Sequence, residues 1–72
     1  MKILEKIQIS LAAARVNANL TQEEVARKMH ISKQTIVNWE KGNSEPSISQ
    51  SRTLSELYKI PLEYIFLPCK SN

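Results

Sequence analysis

The sequence predicts an all-α fold of five short helices, and three observations carry that prediction. Apolar residues recur every three or four positions through most of the 72 residues, and no strand–turn–strand pattern interrupts them. Hydroxyl residues stand ahead of three of the periodic stretches, at Thr21, Ser32 and Ser47, where a helix N-cap belongs. The single glycine, Gly42, and the prolines Pro46, Pro61 and Pro68 fall only where one stretch gives way to the next.

The spacing predicts helix one over residues 3–17. Leu4, Ile7, Leu11, Ala14 and Ala18 make one apolar stripe, and the Ala12–Ala14 run favours helix intrinsically. Helix two starts at Thr21, which with Glu24 three residues on forms a capping box, flanked by Leu20 and Val25 as a hydrophobic staple. Val25, Ala26 and Met29 form its inner face, and it is expected to end near His30. Helix three repeats the device, with Ser32 as cap and Ile31 and Ile36 as staple. Ile36 and Trp39 turn inward, and Gly42 supplies the left-handed residue that ends it. After the loop 43–46, helix four follows Ser47, with Ile48, Leu54, Leu57 and Tyr58 as its expected apolar face. Pro61 then opens a fifth helix containing Leu62, Ile65, Phe66 and Leu67. One domain is expected to fill residues 1–72, ending in a short tail, 68–72.

Composition narrows the possible functions. Hydrophobic residues at 42% and charged residues at 24% are globular values. A chain this short leaves little room for the walls of an enzyme pocket or for a separate sensing domain. One cysteine, Cys69, excludes an internal disulfide, and one Cys plus one His cannot supply the roughly four ligands of a structural zinc. No apolar run reaches the ~18 residues of a membrane span, and Met1–Lys6 alternates charged and apolar residues, unlike a signal peptide. A soluble, non-enzymatic protein without cofactor or metal is expected. Ten Lys/Arg against seven Asp/Glu leave +3, a weak pointer to a polyanion.

The joint between helices two and three is the informative feature. Only about three residues, His30 to Ser32, separate them, and a turn so short forces a steep crossing. That is the arrangement of a helix-turn-helix, here about residues 21–42, whose second helix lies in the DNA major groove. Small Ala26 suits the close approach, and Ile31, Ile36 and Trp39 fill the wedge. Outward on helix three stand Lys33, Gln34, Thr35, Val37, Asn38 and Lys41. Gln or Asn can bond an adenine edge, Lys can donate to guanine acceptors, and Val37 can touch a thymine methyl. Gln22 and Ser32, at helix starts, can offer side chains and N–H groups to phosphates.

At these residues the chain resembles the lambda-repressor-like family of Cro/XRE type. The resemblance rests on Leu20-Thr21-Gln22-Glu23-Glu24-Val25-Ala26, then Ile31 through Asn43 with Glu40-Lys41-Gly42, then Pro46, and extends over about residues 4–67. It implies base reading by Lys33, Gln34 and Asn38. Gln22, Ser32, Thr35, Val37, Lys41 and Asn43 are then assigned to backbone or flanking contacts. It also implies a structural salt bridge between Arg15 and Glu40. Two departures stand out: His30 occupies a turn position usually held by Gly, and Ser51 and Arg52 stand where the family is usually aliphatic.

For the C-terminal segment two readings stay open. Leu62, Ile65 and Phe66 can close the core. Alternatively Pro61, Leu62, Tyr64, Ile65 and Leu67 can meet a second copy, since two-fold pairing doubles the base contacts across half-sites about 34 Å apart. Other chemistry finds little support. Trp39 is spaced for the core rather than for stacking on a base, Glu23 and Glu24 suit a helix first turn, and Cys69 has no implied base. The segment from Thr21 to Asn43 carries four cations (Arg27, Lys28, Lys33, Lys41) against three anions (Glu23, Glu24, Glu40), a net of only +1. Specificity must then come from placed polar side chains rather than bulk charge. The expected function is a cytoplasmic regulator of bacterial or phage type, a homodimeric repressor on an inverted-repeat operator in double-stranded DNA. The rival is an antitoxin-like protein-binding module, its partner a second protein regulator, that also binds DNA.

Overall fold

The computed structural model describes residues 8–66, without the side chain of Phe66. Its elements run β1 (Ile9–Ser10), α1 (Leu11–Asn17), α2 (Gln22–Met29), α3 (Lys33–Lys41), α4 (Ile48–Tyr58), a 3₁₀ turn (Leu62–Tyr64) and β2 (Ile65–Phe66). The described residues are thus all-helical apart from one two-stranded parallel pairing, Ile9 with Ile65 and Ser10 with Phe66.

The four α-helices begin alike. Ser10, Thr21, Ser32 and Ser47 are extended, and each hydroxyl accepts the backbone N–H three residues on, from Ala13, Glu24, Thr35 and Gln50 at 3.0–3.2 Å. Thr21 and Ser47 complete the exchange, donating their own N–H groups to Glu24 Oε1 and Gln50 Oε1, each at 2.8 Å. Each cap contributes about 1 kcal/mol by satisfying a donor that the helix leaves free.

The four helices also finish alike. Asn19, His30, Gly42 and Lys59 are left-handed, with φ of 61°, 61°, 83° and 59°. The residue after each returns its N–H to a carbonyl five positions back: Leu20 to Arg15 (3.2 Å), Ile31 to Ala26 (3.0 Å), Asn43 to Asn38 (2.9 Å) and Ile60 to Ser55 (3.2 Å). These are Schellman-type closures, and only Gly42 adopts the left-handed conformation without steric cost.

One core joins the elements: Leu11 and Ala14 from α1, Val25 and Ala26 from α2, Ile36 and Trp39 from α3, Leu54 and Tyr58 from α4, and Ile65. Met29, Ile31, Leu57 and Ile60 pack against it, partly buried.

The architecture departs from the sequence reading at four places. Helix one was expected over 3–17, but α1 begins at Leu11. Ser10 caps it, and an extended Ser10 cannot lie inside a helix. Leu4 and Ile7 lie outside the described residues, as do Leu67, the tail 68–72 and Cys69. The expected fifth helix is a three-residue 3₁₀ turn, after which Ile65 is extended (φ −103°, ψ 124°) and pairs with Ile9. The apolar run was too short for its period to tell a strand from a helix. Ile65 is therefore core, 3% exposed within one chain, and not part of a dimer surface. On α4, Ile48 is 73% exposed rather than inward, while Ser51 is buried among the apolar residues. Arg52 faces solvent.

Candidate nucleic-acid interface

The turn between α2 and α3 consists of His30, Ile31 and Ser32. Its shape follows from three backbone decisions. His30 takes the left-handed conformation that closes α2, Ile31 turns back to bond the Ala26 carbonyl, and Ser32 extends to cap α3. With Ala26, Ile36 and Trp39 all buried behind this turn, α3 is held against α2 by its apolar face.

What α3 leaves outside is polar. Lys33, Gln34 and Lys41 are exposed, while Thr35, Val37 and Asn38 are half-buried on the flanks of that face. Gln34 Nε2 donates to Asn38 Oδ1 at 3.1 Å, so these two side chains act as a linked pair. The Ser32 and Thr35 hydroxyls bond each other at 2.9 Å. Asn43 is exposed just after the helix, and its N–H is committed to the Asn38 carbonyl.

Behind this face lies an ionic cluster that ties α3 to the frame. Arg15 Nε donates to Glu40 Oε2 at 2.7 Å and Nη2 to Glu40 Oε1 at 3.3 Å, a two-pronged contact from α1 to α3. Its Nη1 donates to the Leu20 carbonyl at 3.0 Å, bracing the α1–α2 connection as well. Gln22 Nε2 donates to Glu40 Oε1 at 3.0 Å, joining α2 to the same carboxylate. The Arg15 and Glu40 side chains are 15% and 8% exposed, so the pair is screened less than a surface one. The Glu40 hydrogen bond raises the Arg15 pKa further, keeping the guanidinium charged. Tyr58, buried on α4, feels the same cluster. Desolvation, and then the Glu40 charge, push its phenol up to about 12, so it stays neutral.

An open cleft of about 370 Å³ lies where α2 and α3 begin, lined by Arg15, Thr21, Gln22, Glu23 and Lys33. Lys33 and the start of α2 suit an anion there, with the Arg15 guanidinium already paired with Glu40 and the Glu23 carboxylate as the opposing charge on the rim.

The structure thus brings Lys33, Gln34, Asn38 and Lys41 to one helix, and gathers Arg15, Gln22 and Glu40 behind it. Of the C-terminal residues, Pro61 and Tyr64 are exposed and Leu62 is half-buried, while Ile65 is inside. One feature escapes a reading along the sequence. Tyr58 approaches the ionic cluster from α4, for which no local signal exists. The Gln34–Asn38 bond, by contrast, was readable from its i, i+4 spacing. Among the described residues no group of His, Cys, Asp and Glu is placed to hold a metal, and no helix is long and apolar enough to cross a membrane.

Comparison with known proteins agrees with this geometry. A helix-turn-helix family model matches residues 11–65, from the first residue of α1 to the first of β2. An HTH-type transcriptional regulator of Methanocaldococcus jannaschii is 39% identical over 49 residues, which are 68% of this chain and 74% of that protein. The CTXphi cryptic-phage transcriptional repressor RstR of Vibrio cholerae is 31% identical, over 81% of this chain and 52% of its own length. The transcriptional activator BcrR of Enterococcus faecalis is 29% identical, over 88% of this chain but only 29% of its own length. No solved structure matches the chain. With four capped helices, a three-residue turn and a braced polar helix in one register, the chain belongs to the Cro/XRE-type helix-turn-helix family of DNA-binding transcriptional regulators.

Proposed function

We propose that this chain is a single-domain, non-enzymatic repressor that occupies an inverted-repeat operator in double-stranded DNA as a homodimer, in the cytoplasm of a bacterial or phage-type system. The observation that carries the reading is the polar outer face of α3, braced by the Arg15–Glu40–Gln22 cluster. Rigid placement matters because base readout depends on side chains meeting groove edges in one register.

In this reading Lys33, Gln34 and Asn38 meet base edges, and Thr35 and Val37 flank them. Phosphates meet Ser32, Lys41, Asn43 and Gln22. Gln22 spends one amide N–H on Glu40 and keeps the other, with its backbone N–H, for a phosphate oxygen. Arg15 and Glu40 act as a strut. Pro61, Leu62 and Tyr64 form the apolar surface that a second copy covers, and the pairing doubles a small set of base contacts. The names of the relatives favour neither sign alone, since one is a repressor and one an activator. Repression is preferred because occupancy of a promoter needs no further machinery.

Selection of bound sites from a random DNA pool tests this reading. A two-fold symmetric site with half-sites about one helical turn apart is expected, and enrichment of no sequence overturns it. Gln34→Ala should cost about 1–3 kcal/mol on the selected site and little on random DNA, whereas Lys41→Ala should weaken both and reduce the salt slope by about one unit per site.

A further inference from the structure

We propose that Asn38 positions the Gln34 amide so that α3 selects adenine, and rejects guanine, at one position of its site. The inference rests on α3 being the base-reading helix and assigns the base that one side chain takes. A primary amide offers two N–H donors and one carbonyl acceptor. Gln34 Nε2 spends one donor on Asn38 Oδ1, at 3.1 Å. The anchor is the half-buried member of the pair, and the reader is the exposed one. Gln34 therefore presents one N–H and Oε1 to the groove.

That donor–acceptor pair complements the major-groove edge of adenine, where N7 accepts and the N6 amino group donates. Guanine presents two acceptors, N7 and O6. To satisfy both, Gln34 would have to withdraw its N–H from Asn38, leaving Oδ1 unpaired in a desolvated interface. If Gln34 stayed in place, its Oε1 would face O6, acceptor against acceptor. Nor can its neighbours take over the acceptor role. Lys33 has donors only, and the Thr35 hydroxyl lies half-buried on the flank of α3, held toward Ser32 at the start of the helix. Asn38 itself keeps both Nδ2 N–H groups but turns its oxygen to Gln34. Gln34 Oε1 is thus the exposed acceptor with no partner inside α3, free for a base amino group.

The test selects sites from random double-stranded DNA with the wild-type protein and with Gln34→Ala, Asn38→Ala and Asn38→Asp, and then measures affinity for adenine and guanine versions of the site. The wild type should prefer adenine about tenfold or more at one position per half-site, in the range of a good bidentate contact. Gln34→Ala should make that position degenerate and leave the others. Asn38→Ala should bring guanine to within about threefold of adenine there, because the freed amide can offer both donors. Asn38→Asp keeps an oxygen for the Gln34 N–H, so it should retain the adenine preference while binding all DNA more weakly, its charge facing the phosphates. A merely structural role for Asn38 would change affinity without changing the preferred base. Undiminished adenine selection in Asn38→Ala overturns the proposal. So does loss of that selection in Asn38→Asp, or guanine at the position that depends on Gln34. Failure of the wild type to enrich any sequence would overturn the base-reading function itself, and the inference with it.

Discussion

The α2–α3 pair and the terminal β1–β2 clasp both bury apolar residues, but they are assembled differently. In the pair, Val25, Ala26, Ile36 and Trp39 come from neighbouring helices joined by three residues, and caps at Thr21 and Ser32 define each start. In the clasp, Ile9 meets Ile65 from the opposite end of the described chain, through strands of two residues each. Local contacts pay little for loop closure, so nearby residues suffice to specify them. The clasp pays that cost in full, and Ile65 becomes extended only because Ile9 is there to pair with it. One region is written in its own sequence; the other is conditional on the rest of the fold.

Truncating the anchor of each region separates the two. Trp39→Ala, which empties the space between α3 and the core, should destabilise by about 3–5 kcal/mol in urea unfolding. Ile65→Ala should cost about 2–5 kcal/mol by the same measurement, because the side chain is 3% exposed and belongs to the shared core. A loss well under 1 kcal/mol for Ile65→Ala would show the clasp to be an appendage, and would sharpen the contrast further.

A smaller effect is expected at the turn. His30 holds φ of 61°, a conformation that costs an ordinary L-residue energy and glycine none. His30→Gly should raise stability by up to about 1 kcal/mol, the relief of strain being partly offset by the freer unfolded chain. A destabilisation would mean that the imidazole makes contacts the turn requires.

The smallest effect lies in the cap of α2 and is visible only in acid. The Thr21 backbone N–H, as the largest cause, holds the Glu24 carboxyl below its ordinary value of 4.5. A carboxylate with a depressed folded pKa adds stability above its unfolded pKa and loses it as pH falls through the folded one. Glu24→Gln keeps the reciprocal capping bond but cannot titrate. Its Tm should match the wild type near neutrality and fall less steeply as pH drops below 4.5. Parallel Tm curves in acid would remove Glu24 from the acid response.

Much of the candidate site was legible because it depends on local chemistry. Thr21-x-x-Glu24, Ser32, and Gly42 after Lys41 mark helix ends whatever surrounds them, and Ile36 with Trp39 fixes which side of α3 turns in. The three left-handed residues that are not glycine, Asn19, His30 and Lys59, carry no comparably strong signal, although each closes a helix in the same way. Ser10 lies within an apparent stripe that runs from Leu4 and Ile7 into Leu11, and that periodicity masks the cap that starts α1. Ile48, expected on the inner face of α4, is its first residue and stays exposed, while polar Ser51 one turn on is buried, because packing and not periodicity decides how far along a helix the core extends.

By itself, the sequence determined the helix pair, its short turn and the identity of the side chains left outside α3. These follow from capping, periodicity and the size of residues within one short stretch. Tertiary structure alone decided that residues 65–66 form a strand, that Tyr58 lies near the Arg15–Glu40 cluster, and that Gln22 spends an amide hydrogen on Glu40. Each of those depends on groups distant in the chain arriving at one place, where burial and pairing set an energy that no local pattern encodes.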